Sequence, residues 1–456
     1  MRLSLLRNSL LSPLREWIKE VVGPRGGVKA EIAGGATGSF FLKAVGMLLR
    51  FGVGVVLARL LGADGYGIYA YAMALVGLMQ VPVQLGLPNL LVREVAAYRE
   101  KGEWGLLRGL LARVNQGVAS LAVLAGLGAF GATWVYAEVR GEPTWLPAFW
   151  VALFLIPLGS LSALRQATLR GLRHVILGQI PEFLARPALA FLGFLALYVG
   201  FGPQGVSPVS AVMVQVGGTA IAFLVGAWWL LRRIPEGVRR CAPEYETRVW
   251  ARKALPFVAL AGMGVINQRI DIVMLGLYYP DATVGIYQAV VVGGSLASFG
   301  LQAVNTTIAP QISRLWAAQD LVRLQRLATA SARISAAVAL PVVVVFAALG
   351  GPLLGLAFGS EFSAGALALT ILAVGQLVSS SFGSVGGFLT MTQYAGLAMR
   401  GVGIAAGANV ILNALLVPRF GMDGAAVATA TSVALVNVIL FFWVRRQVGI
   451  SSSVLG

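Results

Sequence analysis

One cysteine, Cys241, and one histidine, His174, are all that this chain of 456 residues offers toward thiol or imidazole chemistry. A lone cysteine excludes an internal disulfide and any cysteine-cluster metal site. A lone histidine excludes a multi-histidine centre such as HExxH. Charge is also scarce. Asp, Glu, Lys and Arg make up 12% of the residues, about half the share of roughly 25% usual in soluble proteins. Acidic residues are the scarcest: 18 Asp and Glu stand against 35 Lys and Arg, a formal net charge of +17. No nucleophile–base pair, phosphate-cradling GxxxxGK loop or metal-ligand constellation is present. A signal peptide needs an uninterrupted apolar core and a small-residue cleavage site. Residues 1–31 have neither, because Arg2, Arg7, Arg15 and Lys19 interrupt Leu3, Leu6, Leu10, Leu14, Trp17 and Ile18.

What the chain does have is apolar surface. Its residues are 58% hydrophobic and its mean hydropathy is +0.81, values that mark a polytopic membrane protein. The 57 glycines suit close helix packing in lipid, where small residues let backbones approach. Twelve stretches are long enough to cross ~30 Å of hydrocarbon. They lie at approximately 34–60, 66–90, 115–137, 145–166, 175–200 and 206–231, then 254–278, 283–308, 328–350, 363–388, 395–417 and 423–444. The fold class expected is all-α: two six-helix bundles around a central cavity, spanning 34–231 and 254–446. A basic amphipathic segment (1–33) precedes them, a linker (232–253) joins them, and a tail (447–456) follows. The first segment reads as an interfacial helix on an anionic leaflet or as a basic tail.

Basic residues set the orientation. One series of connections carries Arg93, Arg99, Lys101, Arg108 and Arg113, then Arg165, Arg170 and Arg173, then seven cations between Arg232 and Lys253, then Arg314, Arg323 and Arg326. The alternate series carries only Arg59, Arg140 and Arg419. By the positive-inside rule the rich series and both termini are cytoplasmic, in the cytoplasmic membrane of a bacterium or archaeon. The same bias accounts for most of the +17, so nucleic acid is not an expected partner.

The polar interruption at Val265–Tyr287 organises the chain. Asn267, Gln268, Arg269 and Asp271 sit inside an otherwise apolar span, where a charge costs roughly 2.5–3.5 kcal/mol. Either these residues neutralise one another and hold the bundle, or they face a cavity. The stretch has an earlier twin: Gly67-Ile68-Tyr69 and Gly285-Ile286-Tyr287 are 218 positions apart, Gln84 falls on Gln302, and Arg50 falls on Gln268. Gly202-Pro-Gln-Gly205 resembles Gly421-Met-Asp-Gly424 with one residue of slippage. Several matches at nearly one offset argue for an internal duplication. Six spans per half would give both halves the same orientation, related by an axis along the membrane normal.

Five cations fall inside spans: Lys43, Arg50, Arg186, Arg269 and Arg400. Lys43 and Arg50, seven apart, share a helical face. Together the five are candidates for a chamber binding a polyanion, since guanidinium groups pair phosphates bidentately. Two carboxylates accompany them. Glu182, four before Arg186, has an i,i+4 ion pair as its simplest role. Asp271 is about 200° around the helix from Arg269, so one of the two should face the cavity and the other its own bundle. Both carboxylates are candidates for coupling to H+ or Na+. The expectation for Asp271 is that it tunes the chamber while membrane potential drives transport.

Ala58-Arg-Leu-Leu-Gly-Ala-Asp-Gly-Tyr-Gly-Ile-Tyr69, followed by Gln84-Leu-Gly-Leu-Pro-Asn89 and Leu91-Val-Arg93, resembles the start of the polysaccharide-biosynthesis flippases. Arg269-Ile-Asp-Ile-Val-Met-Leu-Gly276 through Gly285-Ile-Tyr287 resembles the start of their second half. That family is related to the multidrug and toxin extrusion transporters and to the lipid II flippases, which usually carry two helices more than this chain accommodates. The resemblance implies a non-enzymatic, alternating-access flippase. It would carry a polyprenyl-pyrophosphate-linked oligosaccharide from the cytoplasmic to the outer leaflet, acting as a monomer among membrane lipids and without a cofactor. A cation-coupled exporter of small amphipathic molecules is the alternative. An enzyme of glycan assembly is disfavoured by the short outer loops.

Overall fold

The computed structural model describes residues 28–202 and 205–455, with side chains considered from Gly38 onward. The basic segment 1–27 lies outside the described residues. All regular structure among the described residues is helical. In chain order the helices are α1 (Val28–Gln84), α2 (Leu87–Lys101), α3 (Trp104–Arg140), α4 (Leu146–Ala152), α5 (Leu155–Gly171) and α6 (Val175–Ile180). A π-helical turn, Pro181–Ala185, joins α6 to α7 (Arg186–Phe201). Then come α8 (Pro208–Arg233), α9 (Glu236–Arg240), α10 (Thr247–Tyr278), α11 (Asp281–Ala317) and α12 (Leu321–Phe358). After a 3-10 turn at Ser360–Gly365 follow α13 (Ala366–Phe382), α14 (Val385–Thr390) and α15 (Ala395–Gln447).

Eight helices among the described residues are long and apolar enough to cross a membrane. The count differs from the twelve expected for two reasons. α1 and α15 run on through glycines with non-helical backbone, Gly62 (φ 66°) and Gly421 (φ 56°), so each long helix bends at a point where two spans were expected. α10 and α11, of 32 and 37 residues, are not among the eight. They carry the polar residues from Asn267 to Asp271 and Gln288, Ser295, Ser298 and Gln302.

The chain breaks at matching places. α3 and α12 begin 217 positions apart and end 218 apart. Each is followed by a glycine of positive φ, Gly141 (88°) and Gly359 (132°), again 218 apart. The Gly-Ile-Tyr triplets meet where α1 packs on α11. A Cβ on Gly67 would collide with the Asp281 carbonyl, and one on Gly285 would collide with the Ala63 carbonyl. The contact is reciprocal, since Ala63 and Asp281 are also 218 apart. Around it Leu57, Tyr66, Ala74, Leu275, Val284, Tyr287 and Val290 form a buried apolar core shared by both halves of the chain.

Charged groups fasten the two ends of this packing. At one end Arg59 donates to the carbonyls of Ala357 (2.8 Å) and Leu356. These belong to the last turn of α12, where carbonyls lack helical partners and the dipole is negative. Beside it the Glu361 carboxylate accepts the Ala63 N–H (2.8 Å), the first after the Gly62 bend, and Thr144 donates to Asp281 (2.6 Å). At the other end the 232–253 segment is bound to the first half of the chain. Arg108 donates to the Cys241 carbonyl (2.7 Å), Trp250 donates to the Tyr98 hydroxyl (2.9 Å), and Lys253 pairs with buried Glu94 (2.7 Å).

Candidate functional site

A cavity of about 440 Å3 opens between α1, the π turn, α7, α8, α10 and α11. Three of the five predicted cations line it: Arg50 from α1, Arg186 from the start of α7, and Arg269 from α10. Glu182, Gln215, Gln288 and Tyr69 complete its polar wall, and Val53, Leu57, Met73 and Val292 its apolar one.

The proline-bounded π turn shapes the wall. The Arg186 N–H bonds the Pro181 carbonyl five residues back, and the next residue, Pro187, has no N–H. The Glu182 carbonyl is thereby left without a helical donor, and Arg50 Nη2 reaches it at 3.4 Å. The Arg50 guanidinium lies over the Phe183 ring, 4.9 Å from its centroid, a favourable cation–π placement. The i,i+4 ion pair expected between Glu182 and Arg186 forms but is long, 3.9 Å from Oε2 to Nη1. Arg186 is held more closely by Gln215, whose amide oxygen accepts from its Nε (3.2 Å) and Nη2 (3.0 Å) when the amide is oriented to satisfy both groups.

Arg269 comes from the second half of the chain and extends across Gly77 of α1. Among the described residues its guanidinium has no ion-pair or hydrogen-bond partner, which leaves its planar fork free for a ligand. The cavity therefore presents three guanidinium groups and one carboxylate.

Lys43 and Arg400 do not belong to the cavity; both are exposed. Lys43 shares the Arg50 face, but between them Gly46 presses against the Phe183 backbone, close enough that a Cβ there would clash. That contact closes the wall before Lys43 is reached. Arg400 sits near the start of α15, away from the lining.

Asp271 is not among the residues that line the cavity. It is 4% exposed, its Oδ2 accepts from the Tyr287 hydroxyl (2.8 Å) and its Oδ1 from the Ile272 N–H (2.9 Å). Thr429 stands beside that hydroxyl and accepts from Asn409 Nδ2 at 3.4 Å. Asn413 donates to the Asn409 side chain (3.2 Å), while its own buried Oδ1 has no partner.

Sequence reasoning missed Arg165, counted only among the basic residues that set the orientation. It is 3% exposed and donates to the Ala222 carbonyl (2.8 Å), the Phe223 carbonyl (3.1 Å) and Glu182 Oε1 (3.0 Å). No spacing rule links positions 165, 182 and 222. The one local trace is Gly226, where any Cβ would strike the Arg165 guanidinium.

The family model for polysaccharide biosynthesis proteins matches residues 35–316, more than half of the chain. The chain belongs to that family. It is 24% identical over 401 residues to the probable low-salt glycan biosynthesis flippase Agl15 of Haloferax volcanii, covering 88% of this chain and 80% of that protein. The fold is similar to that of the lipid II flippase MurJ in an inward closed conformation, with TM-score 0.70 and 14% identity over 90% of this chain and 87% of that one. It is similar as well to an inward-facing multidrug resistance MATE family transporter of the MOP superfamily, with TM-score 0.69 and 13% identity over 89% and 94%. At such identities the structural likeness speaks for the fold alone. The family membership fits a membrane transporter of polysaccharide biosynthesis.

Proposed function

We propose that this family member is a flippase that moves a polyprenyl-pyrophosphate-linked oligosaccharide from the cytoplasmic to the outer leaflet by alternating access. The observation that carries the reading is the convergence of Arg50, Arg186 and Arg269 on one cavity with a single lining carboxylate. Guanidinium forks match phosphate oxygens in pairs, and the surplus of positive charge suits a dianionic pyrophosphate better than a cationic drug. The sugars would share the cavity while the polyprenyl tail stays in lipid. That Agl15 is a probable glycan biosynthesis flippase and MurJ a lipid II flippase supports the assignment.

Twelve spans in two bundles remain the best account of the helices. Dividing α1 at Gly62 and α15 at Gly421, and adding α10 and α11, brings the eight apolar helices to twelve. The reciprocal Gly67–Gly285 contact supports a pseudo-twofold relation, because a residue meets its own repeat partner only near such an axis. In this arrangement Arg59 and Glu361 tie the outer ends together and the 232–253 linker is cytoplasmic. Cys241, the only thiol in the chain, then resists an impermeant thiol reagent in intact cells and reacts once the membrane is opened. Ready labelling from outside would reverse the orientation.

Moving two negative charges outward across an inside-negative membrane is downhill by roughly 4–5 kcal/mol per 100 mV, a bias of about a thousandfold. Membrane potential therefore suffices as the driving force in this reading. A second reading, ion coupling through Asp271, is favoured by the burial of its carboxylate against the Tyr287 hydroxyl. Flipping driven only by a proton or sodium gradient, with that dependence lost in Asp271→Asn, would establish the second reading. The functional test is reconstitution with isolated lipid-linked oligosaccharide beside water-soluble amphiphiles. Transport should require the lipid carrier, and export of the soluble compounds alone would assign a small-molecule exporter instead.

A further inference from the structure

Arg50 and Arg186 can grip a ligand only if Glu182, the carboxylate they flank, does not claim them first. The structure shows what occupies it. Glu182 Oε1 is bound by Arg165 at 3.0 Å, while Oε2 lies 3.9 Å from Arg186 and only the backbone carbonyl reaches Arg50, at 3.4 Å. Arg165 is itself fixed, with one nitrogen on two carbonyls of α8 and no room to withdraw past Gly226. The ion pair behind the wall is short and buried, and the pairs facing the cavity are long.

We infer that Arg165 is a positioning residue whose task is to pair with the Glu182 carboxylate at the cavity wall and cancel its charge, so that Arg50 and Arg186 stay available to the anionic ligand. The inference rests on the reading of the cavity as an anion site and adds a division of labour within it. With Arg165 in place its charge cancels that of Glu182, and Arg50, Arg186 and Arg269 face the ligand with three uncancelled charges. Without it Glu182 turns to Arg186, the next nearest cation, and one of the three is cancelled. A buried carboxylate stripped of its partner cannot stay unpaired.

The test is a double-mutant cycle on the full-length purified protein, read as binding of farnesyl pyrophosphate with farnesol as the uncharged control. Arg165→Met should weaken pyrophosphate binding at least tenfold. Glu182→Gln alone should strengthen it severalfold by leaving the Arg165 charge uncancelled beside the cavity. The double variant should return to within about threefold of the parent. A role confined to packing predicts the reverse for the double variant, because two buried polar partners would then have been removed. Double-variant binding as weak as that of Arg165→Met alone would overturn the inference. Arg165→Lys supplies the rescue control: it keeps a charge on Glu182 but cannot span both α8 carbonyls, so binding should stay near the parent level while thermal stability falls. If Arg165→Met does not fold, Glu182→Gln decides by itself, and unchanged or weaker binding contradicts the proposal. A parent protein that binds farnesyl pyrophosphate no better than farnesol would instead refute the anion site itself, a failure distinct from that of the Arg165 role.

Discussion

Tyr69 and Tyr287 end the same Gly-Ile-Tyr triplet, 218 positions apart, and serve opposite ends. Tyr69 opens on the cavity beside Arg186 and Arg269. Tyr287 is fully buried, its hydroxyl closed on Asp271. The position matching Asp271 at the same offset is Val53, part of the cavity's apolar wall. One copy of the motif faces a loose, cation-rich space and the other a tight, polar lock. If the cavity binds the ligand as proposed, binding and cohesion lie on separate copies of one triplet, and substitutions on the two sides should fail in different ways.

The largest difference should appear in stability. Asp271→Leu removes the buried acceptor of the Tyr287 O–H, and an orphaned buried donor costs about 1–3 kcal/mol. Thermal unfolding in detergent should show it, with pyrophosphate binding unchanged in the protein that survives. Arg186→Ala should do the opposite, lowering stability by under about 1 kcal/mol for a partly exposed ion pair and binding by about tenfold. If both variants lose stability and binding alike, the division between copies is wrong.

That division was only partly legible in the sequence. The 218-residue offset, the polar interruption at 267–271 and the placement of Arg50, Arg186 and Arg269 within apolar spans were readable from hydropathy and charge; that the three line one cavity is a finding of the structure. That Arg269 and Asp271 would point to different sides followed from helical angle; which of the two would face the cavity did not. Lys43 and Arg400 could not be excluded from the site that way, because the contact of Gly46 with Phe183 that ends the wall is tertiary. Arg165 was invisible for a related reason: its partners come from α8 and the π turn, and its position near a span end looks like ordinary snorkelling. The π turn itself hides in a sequence whose two prolines predict only a kink.

A smaller effect sharpens the reading of the Arg269 fork. Arg269→Lys keeps the charge but replaces two parallel donors with a point charge. Flipping should fall several-fold without being abolished, and the protein should remain as stable as the parent. Equal rates in the two would mean that charge alone is read at this position.

The smallest expected effect lies outside the spans, at His174. Burial holds its pKa below the ordinary value, and Arg233 and Arg99 push the same way. The folded chain thus keeps this imidazole neutral more readily than the unfolded chain does. The stability this gives is present above about pH 6.5 and is lost as pH falls through the lower folded value. Between pH 7.5 and 5.5 the parent should lose about 1–2 °C more in unfolding temperature than His174→Gln. Equal shifts would remove His174 from the account.

The central claim is that the guanidiniums meeting in the cavity grip the pyrophosphate. It is tested most directly by flipping of isolated lipid-linked oligosaccharide in proteoliposomes with an imposed membrane potential and no ion gradient, comparing the parent with Arg50→Ala, Arg269→Ala and the pair. The account predicts flipping by the parent and none by the pair, with all four proteins inserted and equally stable. Full flipping by the pair would contradict it.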